Sequence, residues 1–187
     1  MKNRLTIIFG FGILLLASGK AFSDPKAPLL RANLKGFQEV PAVSTAATGQ
    51  FRATIINGAT IAYELTYSGL EGTVTQAHIH LGQKSVTGGI SLWLCQTATN
   101  LDPTKLAPTC PQEAKGGTTV KGMLTAANLV GPNGQGIAGG ATGGTPEEFA
   151  EALKAIRAGV TYANVHSSKV GGGEIRGQIE ATRGERD

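Results

Sequence analysis

Apolar and polar residues alternate with a period of two through most of the chain, the pattern of strands that bury one face. Thr60-Ile61-Ala62-Tyr63-Glu64-Leu65-Thr66-Tyr67 is the clearest run, with Ile61, Tyr63, Leu65 and Tyr67 on one side. It follows Gly49–Ile55 across Asn57-Gly58, a dipeptide that takes the positive φ values of a tight hairpin. Further strands are predicted over Leu30–Phe37, Val74–Leu81, Ile90–Cys95, Thr118–Leu124, Val160–His166 and Glu174–Ala181. Pro41 sets off Glu39–Val43 as an edge or turn.

One segment changes period. Thr145 is placed to cap a helix, Pro146 suits its first position, and Glu147 and Glu148 complement its positive end. Phe149, Leu153 and Ile156 form an apolar stripe, and Gly159 ends it, so a helix is predicted at about 146–158. The glycine-rich stretch Leu129–Gly144 is expected to be a long surface loop. Many short strands, turn signals between them and a single helix predict an all-β, antiparallel Greek-key sandwich or barrel, Ig-like or dismutase-like.

The first residues break this pattern. Lys2 and Arg4 precede the uncharged apolar run Leu5–Leu16, and Ala21-Phe22-Ser23 offers a small-x-small cleavage site. Residues 1–23 are expected to be a signal peptide, too short in its apolar part for the ~18 to 20 residues of a membrane span. A short linker at 24–29, a single domain at 30–181 and a polar tail at 182–187 follow. The chain has 17 basic and 13 acidic residues. Lys2, Arg4 and Lys20 leave with the leader and every acid stays, so the mature chain is nearly neutral. That balance removes the long-range field by which a protein draws nucleic acid or an anionic membrane.

Glycine is abundant, 27 of 187 residues, but it punctuates apolar runs and forms no low-complexity tract, which points to ordered turns. An even cysteine count in an exported chain favours a Cys95–Cys110 disulfide in an extracytoplasmic compartment, periplasmic or outside the cell. The alternative, a metal-binding cysteine pair, lacks the usual CxxC spacing. Trp93 is expected to pack beneath the loop those cysteines close. No nucleophile elbow and no dinucleotide fingerprint is present.

The three histidines carry the chemistry. In Ala77-His78-Ile79-His80-Leu81 the apolar residues alternate with the imidazoles, so His78 and His80 share the face opposite the core. In Tyr162-Ala163-Asn164-Val165-His166 the same parity sends His166 outward with Tyr162 and Asn164. Two imidazoles at i and i+2, with a third from a neighbouring strand, suit copper, zinc or nickel. The competing expectation is a solvated strand face with no metal.

Three ordered motifs resemble the CHRD (chordin-type) domain: Leu34-Lys35-Gly36-Phe37-Gln38-Glu39-Val40-Pro41, Val74–Gly82, and Tyr162–His166 with Gly173–Ile179. The resemblance spans nearly all of the mature chain and implies an extracellular binding module. The order His78, His80, then His166 before a glycine-rich element and a last strand is also similar, more distantly, to copper-zinc superoxide dismutases. That likeness implies a mononuclear copper site, with zinc as second choice, and a redox enzyme as one alternative. A metal-free scaffold that binds an extracellular protein is the other. The departures are a missing fourth copper histidine, missing zinc histidines and no cysteine in the closing strand. Glu39, Asn164, Glu174 and Arg176 are the expected neighbours of the site, with Glu39, Glu174 or water completing the coordination. Arg176 has the simpler expectation of a surface ion pair with Glu174 or Glu180.

Overall fold

A computed structural model describes residues 28–112 and 116–182. The expected leader lies outside them. Nine strands and one helix follow in the order β1 (Leu29–Lys35), β2 (Thr48–Ile56), β3 (Thr60–Ser68), β4 (Val74–Leu81), β5 (Gly89–Cys95), β6 (Thr118–Leu124), α1 (Pro146–Arg157), β7 (Thr161–Ser167), β8 (Ile175–Gln178) and β9 (Glu180–Thr182). All pairings are antiparallel, and the strand order is β5-β4-β7-β8-β1-β2-β3-β6, with β9 also on β1.

The sheet curls until its edges meet. The Leu92–Leu129 bridge and the hydrogen bond from Val130 N–H to Ser91 O tie β5 to the segment that follows β6. The Tyr63 hydroxyl donates to Leu94 O (2.5 Å) across the same seam. The result is a nearly closed barrel, which leaves little unpaired strand edge. Chain order and sheet order part company after β3: β4 crosses to pair with β7, and β6 returns to β3, the Greek-key pattern.

Period-two alternation produces the core. Leu30, Leu34, Phe51, Ile61, Leu65, Ile79, Leu92, Val165 and Ile175 point inward and are buried. Each such side chain contributes about 1.5–3 kcal/mol relative to exposure. The β2–β3 hairpin turns on Asn57 (φ 50°) and Gly58 (φ 68°), both in the left-handed region that Asn-Gly tolerates. The helix is capped as its sequence dictates, with Thr145 Oγ1 accepting from Glu148 N–H (3.2 Å). Phe149, Ala152, Leu153 and Ile156 bury its apolar stripe against the barrel.

One expected element divides. The strand predicted over Glu174–Ala181 is interrupted at Ile179, whose N–H donates to Thr161 O. β8 pairs with both β7 and β1, whereas β9 pairs with β1 alone. Cys95 and Cys110 are joined, 2.06 Å between sulfurs, with 15 residues of sequence separation. No helix among the described residues is long and apolar enough to cross a membrane.

Candidate metal centre

Register explains why the histidines meet. His78 on β4 lies opposite Asn164 on β7, and Asn164 lies opposite Arg176 on β8. One step along, His80 faces Tyr162 and Tyr162 faces Gln178; one step the other way, Gln76 faces His166. Residues directly paired share a face, so these side chains form a grid on the side of the sheet away from the barrel core. His166 is diagonal to His78, which brings His78 Nδ1 to 3.2 Å from His166 Nε2. One ligand nitrogen from each of His78, His80 and His166 falls within 4.8 Å of the others.

Parity identified the face, but not its environment. Parity places the three imidazoles away from the core, and they are nonetheless 0%, 8% and 6% exposed for His78, His80 and His166, which overturns the competing expectation of a solvated face. Loops cover them. Residues 82–88 fold over His80, whose Nδ1 meets Gly88 O at 2.9 Å. The loop after β7 supplies Gly171 O to His166 Nδ1, also at 2.9 Å. A carbonyl accepts only, so both Nδ1 atoms carry the proton and both Nε2 atoms are acceptors, of which His80 Nε2 has no hydrogen-bond partner. His166 Nε2 is then an acceptor, and His78 Nδ1–H donates to it.

Burial also sets the charge. Loss of hydration pushes His78 well below the ordinary imidazole range, and the neighbouring His166 and His80 push it further. Burial lowers His80 to about 4 despite the Gly88 carbonyl, which pulls the other way. His166 is lowered by burial too, opposed by the Gly171 carbonyl. All three are therefore neutral donors at physiological pH, the state in which imidazole binds a metal.

Aromatic rings and a cation surround them. The Trp93 ring meets His78 edge-on at 4.3 Å between centroids, and Tyr162 stacks on His80 at 4.7 Å and 4°. Trp93 packs on a histidine because the register puts it directly opposite His78. Arg176 is 2% exposed, with its guanidinium 3.3 Å above the Tyr162 ring. It donates to Gln83 O and Val86 O, both at 2.9 Å, and so pins the covering loop. The expected surface ion pair of Arg176 is absent among the described residues.

The acids take different places. Glu39 follows the 3-10 turn Gly36–Gln38, and its buried carboxyl is pushed up to about 7 by desolvation, against the pull of Arg176 and Asn164. A side-chain carbon at Gly173 would lie 2.5 Å from Glu39 Oε1 and 2.9 Å from Asn164 Nδ2, so Gly173 backbone closes over both. Glu174 is fully buried and accepts from Thr45 Oγ1 (2.8 Å), Glu71 N–H (2.8 Å) and Ser167 Oγ. It ties three segments of the chain together. Neither acid is among the converging ligand atoms. Sequence reasoning missed Trp93 and Tyr162 as walls of the site and Gly88 and Gly171 as its anchors. The position of Trp93 opposite the HxH strand was the one available signal.

Fold and site together define a nearly closed antiparallel barrel that carries a covered three-imidazole cluster on its outer face. The family pattern of the CHRD domain matches residues 30–179, and the chain belongs to the CHRD domain family. No curated protein and no solved structure matches it.

Proposed function

We propose that this chain is an exported CHRD-domain binding module that holds one copper ion on His78, His80 and His166, with zinc as the second choice. The observation that carries this reading is the convergence of three buried, neutral imidazoles, two of them fixed by backbone carbonyls. Burying imidazoles is costly unless their polar atoms are satisfied, and His78 Nε2 and His80 Nε2 have no hydrogen-bond partner. A metal ion satisfies such lone pairs directly. Residues 1–23 direct export, and the disulfide suits an oxidising compartment.

A dismutase-like enzyme is the weaker reading. Its steering of an anion needs a free cation at the site, and Arg176 is buried, stacked and bonded to two carbonyls. An interaction module is favoured by one observation, the 76% exposure of Phe37 in the Gly36–Pro41 segment. Metal analysis of protein expressed with its leader tests the main reading. One equivalent of copper or zinc is expected, falling below about a tenth in His80→Ala and in His166→Ala that retain the wild-type circular dichroism. Equal metal in wild type and both variants, or none in any, overturns it.

A further inference from the structure

We infer that the cluster selects monovalent over divalent metal, so that its occupant is cuprous copper. This rests on the reading of His78, His80 and His166 as ligands. Imidazole alone serves copper and zinc equally, so charge and coordination number must decide between them.

Charge comes first. No thiolate or carboxylate converges with the three nitrogens among the described residues, so a bound ion keeps its full charge. The cost of burying an ion rises with the square of its charge, roughly fourfold from one to two units. The site is covered: its three residues are 8% exposed or less. The nearest cation, Arg176, lies over the Tyr162 ring that stacks on His80, and its charge acts on His80. Glu39 is the acid that acts on Arg176, and it does not converge with the three nitrogens, so no carboxylate charge is placed against a divalent ion.

Coordination points the same way. Zinc sites are almost always four-coordinate, and divalent copper takes a square or tetragonal set. Here no carboxylate joins the three nitrogens among the described residues, although Glu39 Oε1 and Asn164 Oδ1 are buried without partners. The Trp93 ring lies against His78 and the Tyr162 ring against His80. Gly88 O and Gly171 O are engaged by His80 and His166. Three neutral nitrogens in a covered site match a singly charged ion content with three donors.

The test is a set of competition titrations of metal-free, disulfide-intact protein. Cuprous ion is delivered anaerobically from a chromogenic cuprous chelator, and cupric and zinc ions from divalent chelators of known affinity. Binding is followed by chelator absorbance and by emission of Trp93, the chain's single tryptophan. One equivalent of cuprous ion is expected at an affinity at least ~100-fold tighter than cupric or zinc ion. The binding should disappear in both His80→Ala and His166→Asn. Histidine-dependent binding of cupric or zinc ion as tight as cuprous ion overturns the selectivity while leaving the metal site standing. Absence of histidine-dependent binding by all three ions removes the site and the selectivity together.

Discussion

Replacing Glu39 with glutamine keeps the shape of the side chain and deletes a buried titration. In the folded protein the Glu39 carboxyl is raised from 4.5 to about 7, desolvation outweighing Arg176 and Asn164. The unfolded chain therefore loses this proton at lower pH than the folded chain does. A raised pKa stabilises fully below the unfolded value and its benefit is lost as pH climbs through the folded one. Each pH unit inside that window costs about 1.4 kcal/mol, so between pH 5 and 8 the wild type loses about 2.5 kcal/mol through this one group. Glu39→Gln has no such term. Urea denaturation of metal-free protein, followed by Trp93 emission at pH 5 and pH 8, isolates it, because every other titration is common to both proteins. The variant should gain about 2.5 kcal/mol on the wild type between the two pH values. A difference between the proteins that stays constant within about 0.5 kcal/mol refutes the buried, proton-holding carboxyl.

The histidines act in the opposite sense. Their folded pKa values are depressed, so their stabilisation is present above about 6.5 and is lost as pH falls, for His80 through about 4. Metal-free wild type should lose about 3 kcal/mol through His80 alone over that window, and His80→Gln should be correspondingly less acid-labile in urea titrations at pH 4.5 and 7. Glu174→Ala leaves Thr45 Oγ1, Ser167 Oγ and Glu71 N–H without their acceptor and should cost about 3 kcal/mol or more, seen as a lowered melting temperature at neutral pH. Gly173→Ala forces a side-chain carbon to 2.5 Å from Glu39 Oε1 at φ +120°, and a loss of about 1–3 kcal/mol is expected in the same melt.

Local signals carried the secondary structure well. Thr145, Pro146 and Gly159 mark the helix because capping and φ limits act within a few residues. The HxH alternation assigned His78 and His80 to one face because parity is a property of the strand itself. What covers that face is not local. The loop over 82–88 reaches the site through Arg176, some 90 residues away, and Glu39 arrives from the turn after β1. Alternation distinguishes core from non-core faces but says nothing of a loop laid across the second face, so the burial of the histidines was not legible. The break at Ile179 escaped for a related reason: β8 and β9 continue one apolar pattern, and only the loss of the ladder to β7 divides them.

The distribution of unmet polarity separates the groups that hold the fold from those that await a ligand. Glu174 and Asp102 are buried acids engaged by nearby donors: Glu174 by Thr45, Glu71 and Ser167, Asp102 by Thr104, Leu106 and Ala107 of its own loop. Such groups fix loop geometry, and their hydrogen bonds account for their presence. Among the described residues seven buried side-chain polar atoms lack a partner, and four of them belong to Glu39, His78, His80 and Asn164. These four residues come from two distant parts of sequence and β7, yet the register gathers them at one place. An orphaned buried polar atom costs about 1–3 kcal/mol, so a chance scatter would be a liability spread through the barrel. Concentrated around three neutral imidazoles, the deficit instead becomes binding free energy available to whatever satisfies it. A variant that fills this gap without metal should therefore raise the melting temperature of the metal-free protein while abolishing metal binding. His80→Phe, which keeps the stack on Tyr162 and removes Nε2, is the direct case. If it is less stable than metal-free wild type at pH 7 by more than the loss of the Gly88 hydrogen bond, about 1 kcal/mol, the imidazoles are structural and this account of them fails.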